Sequence, residues 1–169
     1  MAIWHYCKLV QKWGSGGDTA SNDHTEDFIY LDNGQLTYKD APLPQPLTST
    51  VFSYEIYCYL EGIRKPRVPI TGFKFWSITS QPDAPKNKIY IYIGATSVYD
   101  TPVNTLSTKA ITRQDTNYYD SANSLAITGT ISAIGDKSKY LVLQLRIASS
   151  AGKIQLNLPM HFKFNTGGG

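Results

Sequence analysis

Apolar and polar residues alternate with a period of two along much of the chain. Residues 140–147 place Leu141, Leu143, Leu145 and Ile147 on one face and Tyr140, Val142, Gln144 and Arg146 on the other. Ile154, Leu156 and Leu158 repeat the pattern against Gln155 and Asn157. The two rows read as the arms of an antiparallel hairpin, with 159–164 as a final extended arm. Residues 50–61 set Phe52, Tyr54, Ile56, Cys58 and Leu60 against Val51, Ser53, Glu55, Tyr57 and Tyr59, and residues 70–78 form a second strand expected to pair with them. Residues 88–93 turn three isoleucines inward and Tyr90 and Tyr92 outward. Residues 3–13 are partly apolar on both faces, which suggests an inner strand or an interface.

Turn signals divide these strands. Gly14-Ser-Gly-Gly17 ends the first, and 18–27 reads as a polar loop. Asp32-Asn-Gly34, between two short apolar runs, predicts a small hairpin over 28–38. Pro42, Pro44 and Pro46 hold the chain extended as it crosses between sheets or lies on a neighbour. Residues 94–124 are the least regular, with room for one helical turn at 106–111; 124–134 restores a strand and Gly135-Asp136-Lys137 turns. No segment keeps a helical period over three turns. The expected fold is an all-β, antiparallel β-sandwich, jelly-roll-like, with eight or nine strands and long loops. Residues 1–164 form one domain, of a size that supports its own core, and 165–169 form a glycine tail.

Composition narrows the partners. Charged residues make up 17% of the 169, below the ordinary share of about 25%. The formal net charge of +3 is too small and too dispersed to imply nucleic acid, which requires a clustered basic footprint. The opening residues lack the basic and apolar regions of a signal peptide, and no apolar run approaches the roughly 18 residues of a spanning helix. Cys7 and Cys58 lie in apolar strand-like segments. They would meet if the first strand lay beside the 50–61 strand, but in a reducing compartment both are expected free, and two thiols without histidines make a poor zinc site.

Candidate chemistry is sparse. Asp18, Asp23, Glu26 and Asp27 with His24 offer oxygen ligands for calcium, but not at EF-hand spacing, so a solvated loop is the expectation. His5, His24 and His161 fall in no metal or triad motif, and there is no Gly-x-Ser-x-Gly. Glu55 and Glu61, on a strand face and at a strand end, make no glycosidase pair. No enzyme, catalytic residue or cofactor is expected. Arg64, Lys65 and Arg67 form the basic cluster, read as a solvated turn. The informative excess is tyrosine, 12 residues. Tyr57, Tyr59, Tyr90, Tyr92, Tyr118 and Tyr119 are the candidate contact residues, covered by a second layer of the fold, by a protein partner or by a sugar ring.

Phe73-Lys-Phe-Trp76, residues 89–99 with Gly94-Ala-Thr96, and Leu156-Asn-Leu-Pro-Met-His-Phe-Lys-Phe164 give the chain a resemblance to accessory structural proteins of tailed bacteriophage virions, such as head-decoration, neck and tail proteins. The resemblance implies a non-enzymatic protein made in the host cytoplasm and located in the virion. Its partners would be copies of itself and other virion proteins, without nucleic acid or membrane. The alternative is a lectin-like module with Tyr118, Tyr119 and Tyr99 as a sugar shelf; a small hydrolase is the third reading.

Overall fold

The structure, a computed structural model, describes residues 6–13, 18–22, 49–77, 89–105, 112–114, 122–149 and 160–166. These residues are all-β, paired antiparallel, and contain no helix. In chain order the strands are β1 (Cys7–Trp13), β2 (Asp18–Asn22), β3 (Val51–Phe52), β4 (Ile56–Gly62), β5 (Ile70–Ser77), β6 (Ile89–Thr96), β7 (Thr112–Gln114), β8 (Leu125–Ile127), β9 (Tyr140–Ile147) and β10 (Met160–Thr166). A seven-stranded sheet runs β2-β1-β4-β9-β6-β7, with β3 also on β9. A three-stranded sheet runs β10-β5-β8.

Both sheets contribute to one hydrophobic cluster. Leu9, Ile56, Leu60, Ile93 and the row Leu141, Leu143, Leu145 and Ile147 come from the large sheet, and Ile70, Phe73, Phe75 and Ile127 from the small one. Full burial of each such side chain contributes about 1.5–3 kcal/mol. Where β10 pairs with β5 the register shifts between Lys163 and Asn165, and the alternation of β5 slips nearby, so that Ile70, Phe73 and Phe75 all reach the core.

The leucine row of β9 is core as expected, but its partners are not. β9 pairs with β6 over its whole length, and with β4 and β3 on the other side. Ser53 fills the gap between β4 and β3: its N–H donates to the Leu145 carbonyl at 2.8 Å, and its Oγ accepts from the Leu145 N–H at 2.9 Å. Both sides of β9 are thus taken by described strands, and 154–158, the expected second arm of the hairpin, lie outside the described residues. The expected pairing of 50–61 with 70–78 fails, because β4 and β5 lie in different sheets. The 50–61 strand is itself broken at Ser53–Glu55. Val51 therefore packs against the same cluster as Ile56, Cys58 and Leu60, although unbroken alternation would put it on the opposite face.

Three further expectations are corrected. Residues 18–22, read as loop, form β2: an edge strand needs ladder bonds from only one neighbour, so a polar segment serves. Residues 112–114, within the irregular region, form β7 on β6. Asn165 and Thr166 belong to β10 rather than to the tail, opposite Thr71 and Ile70. Of the strand expected at 124–134, only Leu125–Ile127 forms, followed by single bridges at Gly129 and Ile131. The hairpin at 28–38, the prolines at 42–46 and the helical turn at 106–111 lie outside the described residues.

Candidate functional site: a tyrosine face under a strap, and a basic corner

On the face of the large sheet turned away from the shared core, neighbouring strands bring Val10 and Lys12 of β1, Tyr57 and Tyr59 of β4, and Tyr140, Val142 and Gln144 of β9 together. Of the three covers open to these tyrosines, the fold itself supplies the one found: Tyr57 and Tyr59 are buried, as are Val142 and Gln144. Among the described residues, the segment 97–105, which leaves β6, lies against Tyr57, Tyr140 and Gln144 as a strap.

Rings and backbone hold the strap. The Tyr99 ring meets Tyr57 edge-on at 4.8 Å between centroids and Tyr140 at 6.1 Å, while Tyr140 meets Tyr57 at 5.8 Å and Tyr59 at 5.5 Å. These separations suit the ring quadrupoles. Lys12 Nζ lies 4.1 Å from the centre of the Tyr99 ring. Further along, the Glu55 N–H donates to the Val103 carbonyl at 3.2 Å, and the Val103 N–H donates to the Glu55 carboxylate at 3.3 Å. Gln144 donates from Nε2 to the carbonyls of Ser53, Val103 and Thr105 at 3.1, 3.1 and 2.7 Å. Three acceptors around one atom assign it as the nitrogen rather than the oxygen. The Tyr57 hydroxyl points at Glu55 from 3.5 Å. Burial, reinforced by the Glu55 carboxylate, pushes the Tyr57 phenol far above its ordinary value.

The second feature is a corner where the two sheets meet. Beyond β4 the loop 63–69 leads to β5, and the turn 132–139 leads into β9. Gly62 N–H donates to the Asp136 carbonyl at 2.9 Å, and Gly135 N–H to the Gly62 carbonyl at 2.8 Å. Ile70 and Ile131 exchange two backbone bonds, and Ser138 exchanges two with Leu60, one through its hydroxyl. Asp136 closes the turn by accepting from the Ser132 and Ala133 N–H groups at 2.8 and 2.9 Å. Glu61 sits between Lys8 at 3.3 Å and Lys137 at 3.6 Å, and Lys137 also faces the Tyr59 ring at 5.0 Å. Burial lowers the Lys137 pKa, but Tyr59 and Glu61 outweigh it, and the net direction is upward. Arg64, Lys65 and Arg67, next to these groups, are exposed.

The sequence candidates therefore separate. Tyr57 and Tyr59 come together but are spent on internal packing. Tyr90 and Tyr92 of β6 stand opposite Arg146 and Gln144 in register, while Tyr118 and Tyr119 lie outside the described residues. Of the calcium candidates only Asp18 is described, on β2, and no three metal-ligating side chains cluster among the described residues. Cys7 and Cys58 lie on adjacent strands, but Cys7 faces Gly62 and Cys58 faces Gln11. Four residues of offset is about 13 Å, and both thiols are free and buried. Sequence reasoning missed Gln144 and Ser53. Their signal was a polar side chain on the same strand face as a valine or tyrosine, which reads as solvent-facing unless that face is known to be covered. Comparison with protein-family models, curated proteins and solved structures found no match to this chain.

Proposed function

We propose that the protein is a non-enzymatic structural protein of a virion, a capsid decoration or a tail or neck component, which assembles with copies of itself and with other virion proteins. In this reading the two sheets are the faces of a jelly-roll-like sandwich. The observation that carries the reading is the position of the final arm. β10 is an edge strand, paired among the described residues with β5 alone, and regular over 160–163. Such an edge presents a row of backbone donors and acceptors, the surface onto which a neighbouring chain adds a strand. Backbone edges and exposed loops replace Tyr57 and Tyr59 as the contact surface. The sugar-shelf alternative loses support, because Tyr99 is engaged by Tyr57, Tyr140 and Lys12.

Native mass measurement together with co-sedimentation on virions tests the proposal. A defined oligomer, or recovery with particles, is expected. A strict monomer that stays in the supernatant refutes it.

A further inference from the structure

We propose that the outer face of the small sheet binds an acidic sugar, a saccharide ring that carries a carboxylate, sulfate or phosphate group. The site belongs to the other sheet than the tyrosine face. It goes beyond the assembly reading, since a strand added at the β10 edge would extend the small sheet and leave its outer face open.

The alternation of β5 builds the face. Phe73 and Phe75 are buried in the core, so Gly72, Lys74 and Trp76 turn outward; Gly72 and Lys74 are exposed and Trp76 is half-buried. Lys74 stands directly opposite Lys163 of β10 and, on its other side, opposite Ala126 of β8. Lys163 and Ala126 are exposed too. The amide of Asn165 lies over Gly72, where a Cβ would come within 2.8 Å of its Nδ2. Two ammonium groups, an amide and an indole thus surround two small residues, Gly72 and Ala126.

The charge of this face differs from that of an ordinary solvated sheet. Residues directly opposite in an antiparallel pair hold their Cβ atoms about 4.5–5.5 Å apart, and like charges at that spacing repel. Residues 70–77, 125–127 and 160–166 contain no aspartate or glutamate, and neither lysine has an ion pair among the described residues. Soluble surfaces ordinarily intersperse the two signs. A repulsive pair that its own sheet does not neutralise is a seat for one anionic group, which accepts charge-assisted bonds from both ammonium groups at once.

The neighbours of the pair select a sugar. A nucleic acid strand needs cations ranged along its backbone and several stacking rings, whereas both cations here stand at one point. An acidic protein surface needs a wider apolar centre than Gly72 and Ala126 provide. A sugar ring is small, sets an apolar C–H face against an indole, and offers hydroxyls to an amide that both donates and accepts. Trp76 lies about 7 Å along the strand from Lys74, within the span of one substituted ring. The anionic group falls on Lys74 and Lys163, the ring on Trp76, and a hydroxyl on Asn165.

The full chain applied to an array of sialylated, uronic, sulfated and phosphorylated glycans, beside their neutral counterparts, tests the site. Signal is expected on acidic members alone, and it should fall between about 50 and about 500 mM NaCl. Lys74→Glu should lower it at least about tenfold. That variant sets opposite charges face to face across the strands, so its melting temperature should hold or rise, which separates lost binding from lost folding. Adding Lys163→Glu restores a like pair of the other sign, and should return the melting temperature to the wild-type value without returning the signal. Trp76→Ala should weaken binding to the same members. An array on which no acidic glycan is bound, or on which neutral glycans bind equally, overturns the inference, as does a Lys74→Glu variant that binds like the wild type. Oligo(dT) bound in place of any glycan, and lost in Lys74→Glu, assigns the face to single-stranded nucleic acid and also overturns it. Native mass measurement on the same samples reads assembly separately. A defined oligomer without glycan signal removes this inference and leaves the assembly reading standing; a monomer that ignores virions but binds acidic glycans does the reverse.

Discussion

Gln144→Leu tests how much of the strap's hold depends on one amide. The side chain is fully buried, and its nitrogen donates to Ser53, Val103 and Thr105. An amide nitrogen has two protons, so two strong bonds form at a time and the third is shared. Leucine keeps most of the volume and removes the donors. Two lost bonds cost about 2 kcal/mol, and a stranded carbonyl adds about 1–3 kcal/mol. Val103 and Thr105 belong to exposed residues whose carbonyls water can reach after the change, so that penalty falls mainly on buried Ser53. The expected total is about 3–4 kcal/mol, a fall in melting temperature of roughly 6–16 °C for a chain of this length. Urea denaturation measures the loss, and hydrogen exchange locates it: the Val103 amide, which donates to Glu55, should lose protection. A change below about 0.5 kcal/mol, with Val103 protection intact, would refute the argument. Gln144→Glu should be worse, because it sets a buried carboxylate against carbonyl oxygens.

The corner, the thiols and the surface ion pairs supply the remaining predictions. Gly129 has φ of 136°, and a Cβ there would lie 2.7 Å from the Ser138 Cα; Gly129→Ala should cost at least about 2 kcal/mol in urea denaturation. An unchanged midpoint would show that the corner is looser than described. Burial pushes the Cys7 thiol up from 9.0 to about 11 and Cys58 higher still, so neither should react with a thiol reagent at pH 8 before unfolding. The unfolded thiols ionise at lower pH than the folded ones. Their contribution to stability is therefore complete below pH 9 and declines as pH rises toward 11, and urea denaturation at neutral and alkaline pH would show no such decline if the thiols were accessible. Glu61→Gln, between half-buried Lys8 and exposed Lys137, should cost less than about 1 kcal/mol and less again in high salt, since pairs that water reaches are weak. A loss above about 2 kcal/mol that salt does not reduce would mean that the carboxylate is more deeply buried.

What the sequence made legible depended on whether one face of a strand met one core. Leu141, Leu143, Leu145 and Ile147 satisfy that condition, and their period of two identified the central strand. Pairing was not legible, because the partners of β9 are β6, β4 and β3, none of them its sequence neighbour beyond the turn, and periodicity carries no record of which strand lies alongside. β2 was hidden because an edge strand of polar residues is held by its backbone. Tyr57 and Tyr59 were placed on the correct face, but which of the possible covers lies on them was not legible, since a strap without regular structure leaves no periodic signal. The phase slip at Ser53–Glu55 arises because Ser53 bonds to β9 through both its backbone and its hydroxyl. The approach of the 63–69 loop and the 132–139 turn was hidden for a related reason: a Cβ at Gly62 would lie 2.6 Å from the Ala133 carbonyl oxygen, and Gly135 turns the chain at a φ of 85°, neither of which leaves a periodic signal.

The place of β9 also sets an order of events during synthesis. It lies between β4 and β6 in the large sheet, yet both precede it in the chain. Until residue 147 has been made, the β1–β4 half and the β6–β7 half have no strand to join them, and the apolar faces of Ile56, Leu60 and Ile93 lack their leucine row. At ribosomal rates of about 5–20 residues per second, the interval from Thr96 to Ile147 lasts roughly 3–10 seconds. During it the nascent chain displays two half-sheets with open edges, and a long-range closure of this kind folds slowly. The vulnerable species of this protein is thus the chain that ends before Tyr140, and truncation there should yield aggregates rather than a smaller soluble domain.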